Sequence, residues 1–207
     1  MDNTPSCLEI DNQIAYCLAK IPWFIGYYGL EQFMVNDELR VGEIFEKGDL
    51  VLNETLEKNI LSYQDKISIM VCVLLGIREA RRRYQFKHYD LHCGNIVLVT
   101  NAIFLKEVII GGSRVTEYKY SPRIIDFGQS SITMDDGSIL NACSPSYFKP
   151  DDVRIFILTF YDLEAENLNT QSNPFADLLS ILLSYKTDLS GILEYIAGNF
   201  PEIYSFT

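Results

Sequence analysis

The chain has 207 residues, of which 48% are hydrophobic, and its formal net charge at pH 7 is −11. This length and composition suffice for one sizeable domain with a buried core. The negative charge argues against non-specific binding to nucleic acid, which is held mainly by cationic groups.

The first fifty residues predict a helix followed by two strands. In LEIDNQIAYCLAKI, residues 8–21, apolar side chains recur near helical spacing, which indicates a short amphipathic helix. The next stretch, PWFIGYYGLEQFMV, is aromatic and favours β-structure, and ELRVGEIFE repeats that pattern. We therefore expect two neighbouring strands, a break at Gly48 and a polar helix that begins near Asp49.

The strongest helical signal is SYQDKISIMVCVLLGIREARRRYQ, which has Ser62 as a candidate N-cap. Its basic end, REARRRYQFK, has two interpretations. The cations form a solvated helix end that suits the helix dipole, or they form a dock for an acidic substrate or phosphate. The helix leads directly to HYDLHCGN, residues 88–95, which contains both histidines of the chain.

After Asn95, IVLV predicts a short strand, and Gly111-Gly112 between β-prone runs predicts a hairpin turn. RIIDFGQS predicts a strand over Ile124 and Ile125 that runs into Asp126. MDDGS predicts a turn and NACSPSYFKP a loop. DDVRIFILTFYDL predicts a buried helix capped by Asp151 or Asp152, and NPFADLLSILLSY and DLSGILEYIAGNF predict two shorter helices. The expected class is α+β.

The cysteines and the amino terminus indicate an intracellular protein. The five cysteines are spread widely, without any C-x-x-C pair, which argues against a disulfide framework and a zinc knuckle. The polar, acidic amino terminus lacks the features of a secretion signal, and the longest apolar run, ISIMVCVLLGI, is too short to cross a bilayer. We expect a location in cytoplasm or nucleus, and neither a membrane nor a nucleic-acid partner.

Two motifs together carry a family resemblance. Asp90 and Asn95 are separated by four residues, a strand follows, and Asp126-Phe127-Gly128 comes later. This arrangement resembles the catalytic and metal loops of protein kinases. In more detail, YQFKHYDLHCGNIVL looks like the haspin branch of atypical kinases, and kinase-like proteins of large DNA viruses are similar. The resemblance spans about residues 8–163 and is strongest over 86–128.

The resemblance implies a protein-kinase-like fold with a reduced N-terminal lobe, residues 1–47, and a mostly helical C-terminal lobe, residues 48–207. It also implies transfer of the γ-phosphate of ATP to serine or threonine of a protein substrate, with Mg²⁺ as cofactor. Asp90 would accept or orient the substrate hydroxyl, and Asn95 and Asp126 would hold the metal. His92 would contact the transferring phosphate.

Other residues of the two motifs have expected supporting roles. The resemblance implies that His88 hydrogen-bonds the backbone near Asp126, and that Asp152 braces the catalytic loop. Phe127 is expected to pack and Gly128 to act as a hinge next to the nucleotide. Tyr89 occupies the position at which kinases ordinarily have an arginine that binds the phosphorylated activation loop. We therefore do not expect activation of this kind by phosphorylation.

Alternatives remain open for these residues. Considered alone, His88 would be an ordinary core histidine. Asp126, considered alone, would be an aspartate that ends a strand and begins a turn, as is common. His88, Asp90 and His92 alternate and could share one face of a strand as a metal site. A small-molecule phosphotransferase would use the same H-x-D-x-x-x-x-N pattern.

The front of the chain departs from the kinase pattern. It contains no G-x-G-x-x-G, and the lysine that binds ATP phosphates is not found. Glu9 is a candidate for the helix glutamate, and Lys20, at the end of a helical pattern, is a poor candidate for the lysine. Either a partner protein completes the lobe, or the chain is a catalytically weak or inactive truncated kinase mimic that binds and regulates a kinase or its substrate. If the chain is viral, it would be found in the host cell or the virion.

Overall fold

The computed structural model describes residues 7–101, 105–142, 151–166, 174–184 and 189–207, without the side chains of 7, 8 and 166. Within these ranges the fold is mixed α+β, as the sequence predicts. The helices are α1 (Cys7–Leu18), α2 (Leu52–Glu57), α3 (Tyr63–Tyr84), α4 (Asp152–Glu166), α5 (Pro174–Ser184) and α6 (Leu189–Asn199).

The strands are short and pair antiparallel in small sheets. They are β1 (Tyr27–Val35), β2 (Glu38–Phe45), β3 (Leu50–Val51), β4 (Ile96–Thr100), β5 (Lys106–Ile110), β6 (Ser113–Glu117), β7 (Tyr120–Ile124), β8 (Ser131–Thr133), β9 (Ile139–Asn141) and β10 (Tyr204–Phe206). The sheets have the orders β1-β2, β10-β6-β5, β3-β4-β7 and β8-β9.

The front section consists of α1 and the β1–β2 hairpin. The helix ends at Leu18, earlier than expected, and the first strand begins only at Tyr27. Between them Trp23 adopts a left-handed φ of 68°, which regular helix and strand both exclude, and Phe24 forms a parallel bridge with Ile124. This bridge fastens the front section beside the end of β7.

The central helix α3 starts where the sequence predicts. Ser62 is its N-cap: the Ser62 hydroxyl accepts a hydrogen bond from the Asp65 backbone N–H at 3.1 Å. The Asp65 carboxylate in turn accepts one from the Ser62 backbone N–H at 3.1 Å. Most of the helix is buried, so it is the core element on which the other layers pack. Gln85, with φ 49°, ends it and turns the chain into the motif loop.

The β4–β7 pair brings the two motif loops to one edge. In the antiparallel register Ile96 at the start of β4 lies opposite Ile124 at the end of β7. Asn95 precedes the first strand and Ile125 follows the second, so the loops that contain Asp90 and Asp126 leave the sheet at the same end. This pairing joins residues far apart in the sequence.

The basic end of α3 makes internal contacts. Arg81 pairs with Asp151 at 2.9 Å, and Arg82 and Arg83 both bind Glu79. The hydrogen bond of Arg82 to Glu79 is the main reason that the pKa of the Glu79 carboxyl falls to about 2, against the opposing effect of burial. These contacts favour the structural interpretation of the basic run over a phosphate dock.

Several boundaries and strands differ from expectation. The helix expected near Asp49 begins at Leu52, because the Asp49 backbone N–H donates to the Leu98 carbonyl of β4 and the Asp49 carboxylate accepts from the Thr100 N–H. The predicted Gly111-Gly112 hairpin is confirmed, with φ of 54° and 72°. The strand expected to include Ile125 ends at Ile124. Strands β8 to β10, three residues each, were not predicted.

In the described ranges, no helix has the length and apolar character needed to cross a membrane. Cys17, Cys72 and Cys93 are free and buried. Cys143 and most of the predicted NACSPSYFKP loop lie outside the described residues. The lobe division at residues 47 and 48 stays a prediction.

We expect Ser62→Ala to lower the free energy of unfolding by about 1 kcal/mol, because the capping box at the start of α3 is lost. Ser184→Ala is the control, since that exposed hydroxyl only bonds back to the Ile181 carbonyl within α5. Urea denaturation followed by circular dichroism measures both. Equal losses in the two variants would contradict a capping role for Ser62.

Candidate active site

A buried carboxylate organises the loop that follows α3. Asp152, 3% exposed at the start of α4, accepts hydrogen bonds from the backbone N–H groups of His88 at 2.9 Å and Tyr89 at 2.8 Å. Tyr89 has a left-handed φ of 64°, which is costly for a bulky side chain. The two charge-assisted bonds offset that cost, and the predicted bracing by Asp152 is confirmed.

His88 joins this loop to the metal-loop motif. It is fully buried, and its Nε2 lies 2.9 Å from the Ile125 carbonyl oxygen. Because a carbonyl oxygen only accepts, Nε2 carries the proton. Burial lowers the pKa of His88, although the Ile125 bond and the charges of Asp152, Asp126 and Asp90 oppose this. The predicted bond of His88 to the backbone near Asp126 is confirmed.

This placement disfavours the alternative metal site of His88, Asp90 and His92. His88 points into the core and its Nε2 is committed to Ile125, whereas the side chains of Asp90 and His92 are 39% and 40% exposed. Within the described ranges, no group of three or more His, Cys, Asp and Glu side chains could hold a metal ion. A site built from Asn and Asp oxygens is not tested by that observation.

The backbone carbonyl and the backbone N–H of Ile125 both form hydrogen bonds. Its carbonyl accepts from His88, and its N–H donates to the Asn95 carbonyl at 3.0 Å. Asp126 follows directly and adopts a left-handed φ of 64°. One Asp126 carboxylate oxygen accepts only a long 3.4 Å bond from the Gly128 N–H, so the carboxylate keeps lone pairs for another ligand.

The amide of Asn95 has a defined orientation. Its nitrogen donates to the Asp90 carbonyl at 2.9 Å, and the side chain is mostly buried. Because the nitrogen is committed to Asp90, the amide oxygen is the end that remains available to a cation. Two of the hydrogen bonds of Asn95, one to the Asp90 carbonyl and one from the Ile125 N–H, join the loop of Asp90 to the residue that precedes Asp126.

Two neighbours orient the Asp90 carboxylate. Gln129 donates to it at 3.3 Å, and the Nε2 of His92 lies 3.9 Å from the same oxygen. The other ring nitrogen of His92 accepts from the Gly94 N–H at 3.0 Å, which aims Nε2 at Asp90. Sequence reasoning missed Gln129; its position directly after the DFG motif is the only signal for it.

Phe127 anchors the metal loop in the core. It is 2% exposed, and its ring centroid lies 6.0 Å from that of Phe24 and 6.1 Å from that of His88. Gly128 does not have a left-handed φ, so its backbone conformation is open to other residues. The hinge role expected for Gly128 stays a prediction.

A cavity lies between the base of the hairpin and the metal loop. Its volume is about 290 Å³ and its walls are mainly apolar. At Gly48 an added Cβ would lie 2.7 Å from the Val97 Cβ, so glycine is required for the connecting chain to pass this close to β4. The lining residues are Ile25, Phe45, Glu46, Gly48, Val97, Ile125 and Asp126.

Glu46 fixes the base of the hairpin over this cavity. It binds the Arg123 guanidinium at 2.8 Å and accepts from the Gly26 N–H at 3.2 Å. Burial acts against ionisation of Glu46, but the bonds and charge of Arg123 leave the pKa of its carboxyl below the ordinary value. The ion pair ties the hairpin to β7.

Asp11 is close enough to both Glu43 and Asp126 for their charges to interact, and we call these three residues the carboxylate cluster. Burial and the charge of Asp126 raise the pKa of Asp11, and burial and the charge of Asp11 raise the pKa of Glu43. Sequence reasoning chose Glu9, which is exposed. Asp11, three residues before the buried Ile14, carries the available signal, because that spacing places it on the inner helix face.

Comparison with known proteins supports a distant relationship to kinases. No family model matches the chain. The chain is 29% identical over 188 residues to "Probable kinase 098L" of Invertebrate iridescent virus 3. The alignment covers 84% of the chain and 34% of that protein, so the chain spans about a third of the length of this curated relative. A particular likeness to the haspin branch does not follow from it.

Asp152→Ala should lower the free energy of unfolding by about 2–4 kcal/mol, because two buried N–H groups lose a charged acceptor. Asp151→Ala is the neighbouring control: the Asp151 side chain is more than half exposed, caps α4 and pairs with Arg81. We expect it to cost about 1 kcal/mol. Urea denaturation distinguishes them, and equal costs would contradict the bracing role.

The lowered pKa of His88 predicts a pH-dependent stability difference. Below the ordinary histidine pKa of 6.5, the unfolded chain binds a proton that the folded chain resists, so acidification favours unfolding. The stability advantage of wild type over His88→Asn should therefore shrink as the pH falls from about 7.5 to 5, by at most about 1.4 kcal/mol per pH unit. Urea titrations across this range measure it; a constant or growing advantage would refute it.

Proposed function

We propose that the chain is a protein-kinase-like phosphotransferase that moves the γ-phosphate of ATP to serine or threonine hydroxyls of a protein. The observation that carries this proposal is that both backbone groups of Ile125 form hydrogen bonds, the carbonyl with His88 and the N–H with Asn95. By its bonds to His88 and Asn95, it joins the loop of Asp90 to the loop of Asp126. The similarity to a viral protein named as a probable kinase supports the same class of reaction.

Phosphoryl transfer depends mainly on positioning and charge neutralisation, which these residues suit. Mg²⁺ would neutralise charge on the ATP phosphates, and hard cations of this kind prefer oxygen ligands. The Asn95 amide oxygen and the Asp126 carboxylate would hold it, since the first is left available by the bond to Asp90 and the second has only a long bond to Gly128.

Asp90 would orient the acceptor hydroxyl and take up its proton. Its carboxylate is partly exposed, so a substrate hydroxyl can reach it, and Gln129 and His92 keep it in one orientation. The His92 side chain is about as exposed as that of Asp90, and its Nε2 lies 3.9 Å from the Asp90 carboxylate. It would therefore donate a hydrogen bond to the phosphate in transfer.

The cavity of about 290 Å³ would receive the nucleotide base. Its apolar walls, formed by Ile25, Val97 and Phe45 among others, suit a flat ring, and Asp126 is one of its lining residues, so the phosphates would lie beside that carboxylate.

One observation favours a second candidate, a kinase mimic that binds without turnover. Among the described residues no cation lowers the pKa of Asp11 or Glu43, so the carboxylate cluster lacks the lysine that kinases place near the phosphates. The sequence also lacks a glycine-rich phosphate loop. Loss of both removes several kcal/mol of charge stabilisation.

Phosphate transfer from radiolabelled ATP with Mg²⁺ tests the proposal. We expect Asp90→Asn and Asp126→Asn each to reduce labelling of a serine-rich acceptor protein at least about a hundredfold, because one removes the base and the other a metal ligand. Asp177→Asn, an exposed position on α5, is the matched control and should label like wild type. Equal labelling by all four proteins would rule out this active site.

Thermal denaturation separates the two candidates. A ligand that binds only the native state raises stability, by about 2.7 kcal/mol at a hundred times its dissociation constant. We expect ATP with Mg²⁺ to raise the Tm of wild type, and Asp126→Asn to lose the part of the shift that depends on Mg²⁺. A folded wild-type protein whose Tm does not change would favour the mimic.

A further inference from the structure

A second cavity, which we call the Trp23 cavity, lies apart from the proposed catalytic residues. It is bounded by residues 19–26, which follow α1, and by residues of β5, β6 and β7. Its volume is about 490 Å³, larger than the 290 Å³ of the cavity beside Asp126. Among the described residues the two cavities share only Glu46 as a lining residue, so the Trp23 cavity is a separate site.

Part of the lining of the Trp23 cavity is apolar. Ile21 and Pro22 contribute from the segment after α1, and Val108 and Ile109 contribute from the edge strand β5. Ligand cavities in proteins usually combine such apolar walls with a few polar groups that fix the orientation of the ligand. The polar groups of this cavity therefore decide which ligand would fit.

The Trp23 cavity contains a buried carboxylate with an unused acceptor oxygen. Glu117 is 1% exposed, and its Oε1 accepts hydrogen bonds from the Trp23 indole N–H and from the Ser121 hydroxyl at 3.0 Å. Its Oε2 is buried and has no hydrogen-bond partner among the described residues. An acceptor left unpaired in this way is costly, because it has lost its bonds to water. A ligand that donates an N–H or O–H to Oε2 would remove that cost.

The other carboxylates that line the Trp23 cavity already have cationic partners. Glu46 binds the Arg123 guanidinium at 2.8 Å. Glu107 lies 3.3 Å from the Arg114 guanidinium. These two ion pairs neutralise each other's charges within the protein, so neither needs a charged group from a ligand.

Two lysines at the Trp23 cavity lack a close anionic partner. Lys20 is exposed and forms no ion pair within the described part of the chain; its ammonium lies 4.5 Å from the centre of the Tyr16 ring. The Lys106 ammonium lies 3.7 Å from the Glu117 Oε2, which is beyond hydrogen-bond distance, and its side chain is 56% exposed. The two lysines and Glu117 together leave one positive charge, which a ligand with one negative charge would balance.

We propose that the Trp23 cavity binds a small organic carboxylate that has one negative charge, an apolar body and an N–H or O–H donor. The carboxylate would contact the ammonium groups of Lys20 and Lys106, and the donor would bind the Glu117 Oε2. The apolar body would pack against Val108 and Ile109. A phosphate dianion fits less well, because three glutamates line the same cavity. The proposal goes beyond phosphate transfer and does not depend on it.

Three matched probes test the proposed ligand chemistry. N-acetyl-L-phenylalanine has the carboxylate, an amide N–H donor and an apolar ring. Its methyl ester lacks the negative charge, and its N-methyl form lacks the donor. We expect the parent acid to bind at least about tenfold more tightly than either derivative. Trp23 is the only tryptophan of the chain, so its fluorescence and its indole N–H resonance report binding at this cavity.

Charge variants identify the groups that bind the acid. Lys20→Gln should weaken binding of the acid at least about threefold and leave the methyl ester unchanged, because the lost contact is an exposed ion pair. Lys58→Gln is the control, since it removes the same charge from an exposed side chain next to α2 and should change neither. Glu117→Gln should abolish the preference for the acid over its N-methyl form, because an amide nitrogen replaces the free acceptor.

Several results would overturn the proposal. They are unchanged Trp23 signals up to about 10 mM of the acid, equal binding of the three probes, and equal effects of the two lysine variants. Circular dichroism and Tm establish that each variant is folded, and the probe series and Lys20→Gln keep their meaning if Glu117→Gln does not fold. A crystal structure with the acid should place its carboxylate at Lys20 and its N–H at Glu117. Lys106 hydrogen-bonded to Glu117, with the acid bound elsewhere, would contradict the proposal.

Discussion

The hydrogen bond from His88 to the Ile125 carbonyl is the constraint on which the proposed site depends. It spans 37 positions of sequence and lies within the core, where water cannot replace it. With the bond between Ile125 and Asn95, it sets the position of Asp126 relative to the loop of Asp90. Asp152 supports the other side of that loop by accepting from two successive backbone N–H groups, one of them in a strained left-handed residue.

Local signals in the sequence predict much of this framework. The Ser62 cap, the turn at Gly111-Gly112 and the helix that begins at Asp152 follow from capping and turn chemistry, which act within a few residues. The spacing of Asp90, Asn95 and Asp126 identified three residues whose loops the structure joins through hydrogen bonds of Asn95. The roles of these three residues in catalysis stay predictions.

The remaining features depend on tertiary contacts and leave little local signal. Strands β8 to β10 exist because of their pairing partners, since three residues carry no clear periodicity. Trp23 interrupts the expected strand with a left-handed backbone, and its indole binds the buried Glu117 from β6. Asp11 is close enough to Asp126 for their charges to interact, a position that depends on how α1 is rotated against the core.

The front section and the proposed site both contribute carboxylates to one small region. Asp126 lines the cavity proposed for the nucleotide base, and burial together with the charges of neighbouring carboxylates raises the pKa values of Asp11 and Glu43. This concentration of negative charge underlies the inactive-mimic alternative, because no cation of the described residues there would stabilise the charge of the ATP phosphates.

The most direct test is a crystal structure with Mn²⁺ and a non-hydrolysable ATP analogue, in which anomalous scattering locates the metal. The account predicts a metal ion within about 2.5 Å of both the Asn95 amide oxygen and the Asp126 carboxylate, with the Asp90 carboxylate facing the terminal phosphate. A metal bound elsewhere, or an Asp90 carboxylate in a region separated from the nucleotide, would contradict it.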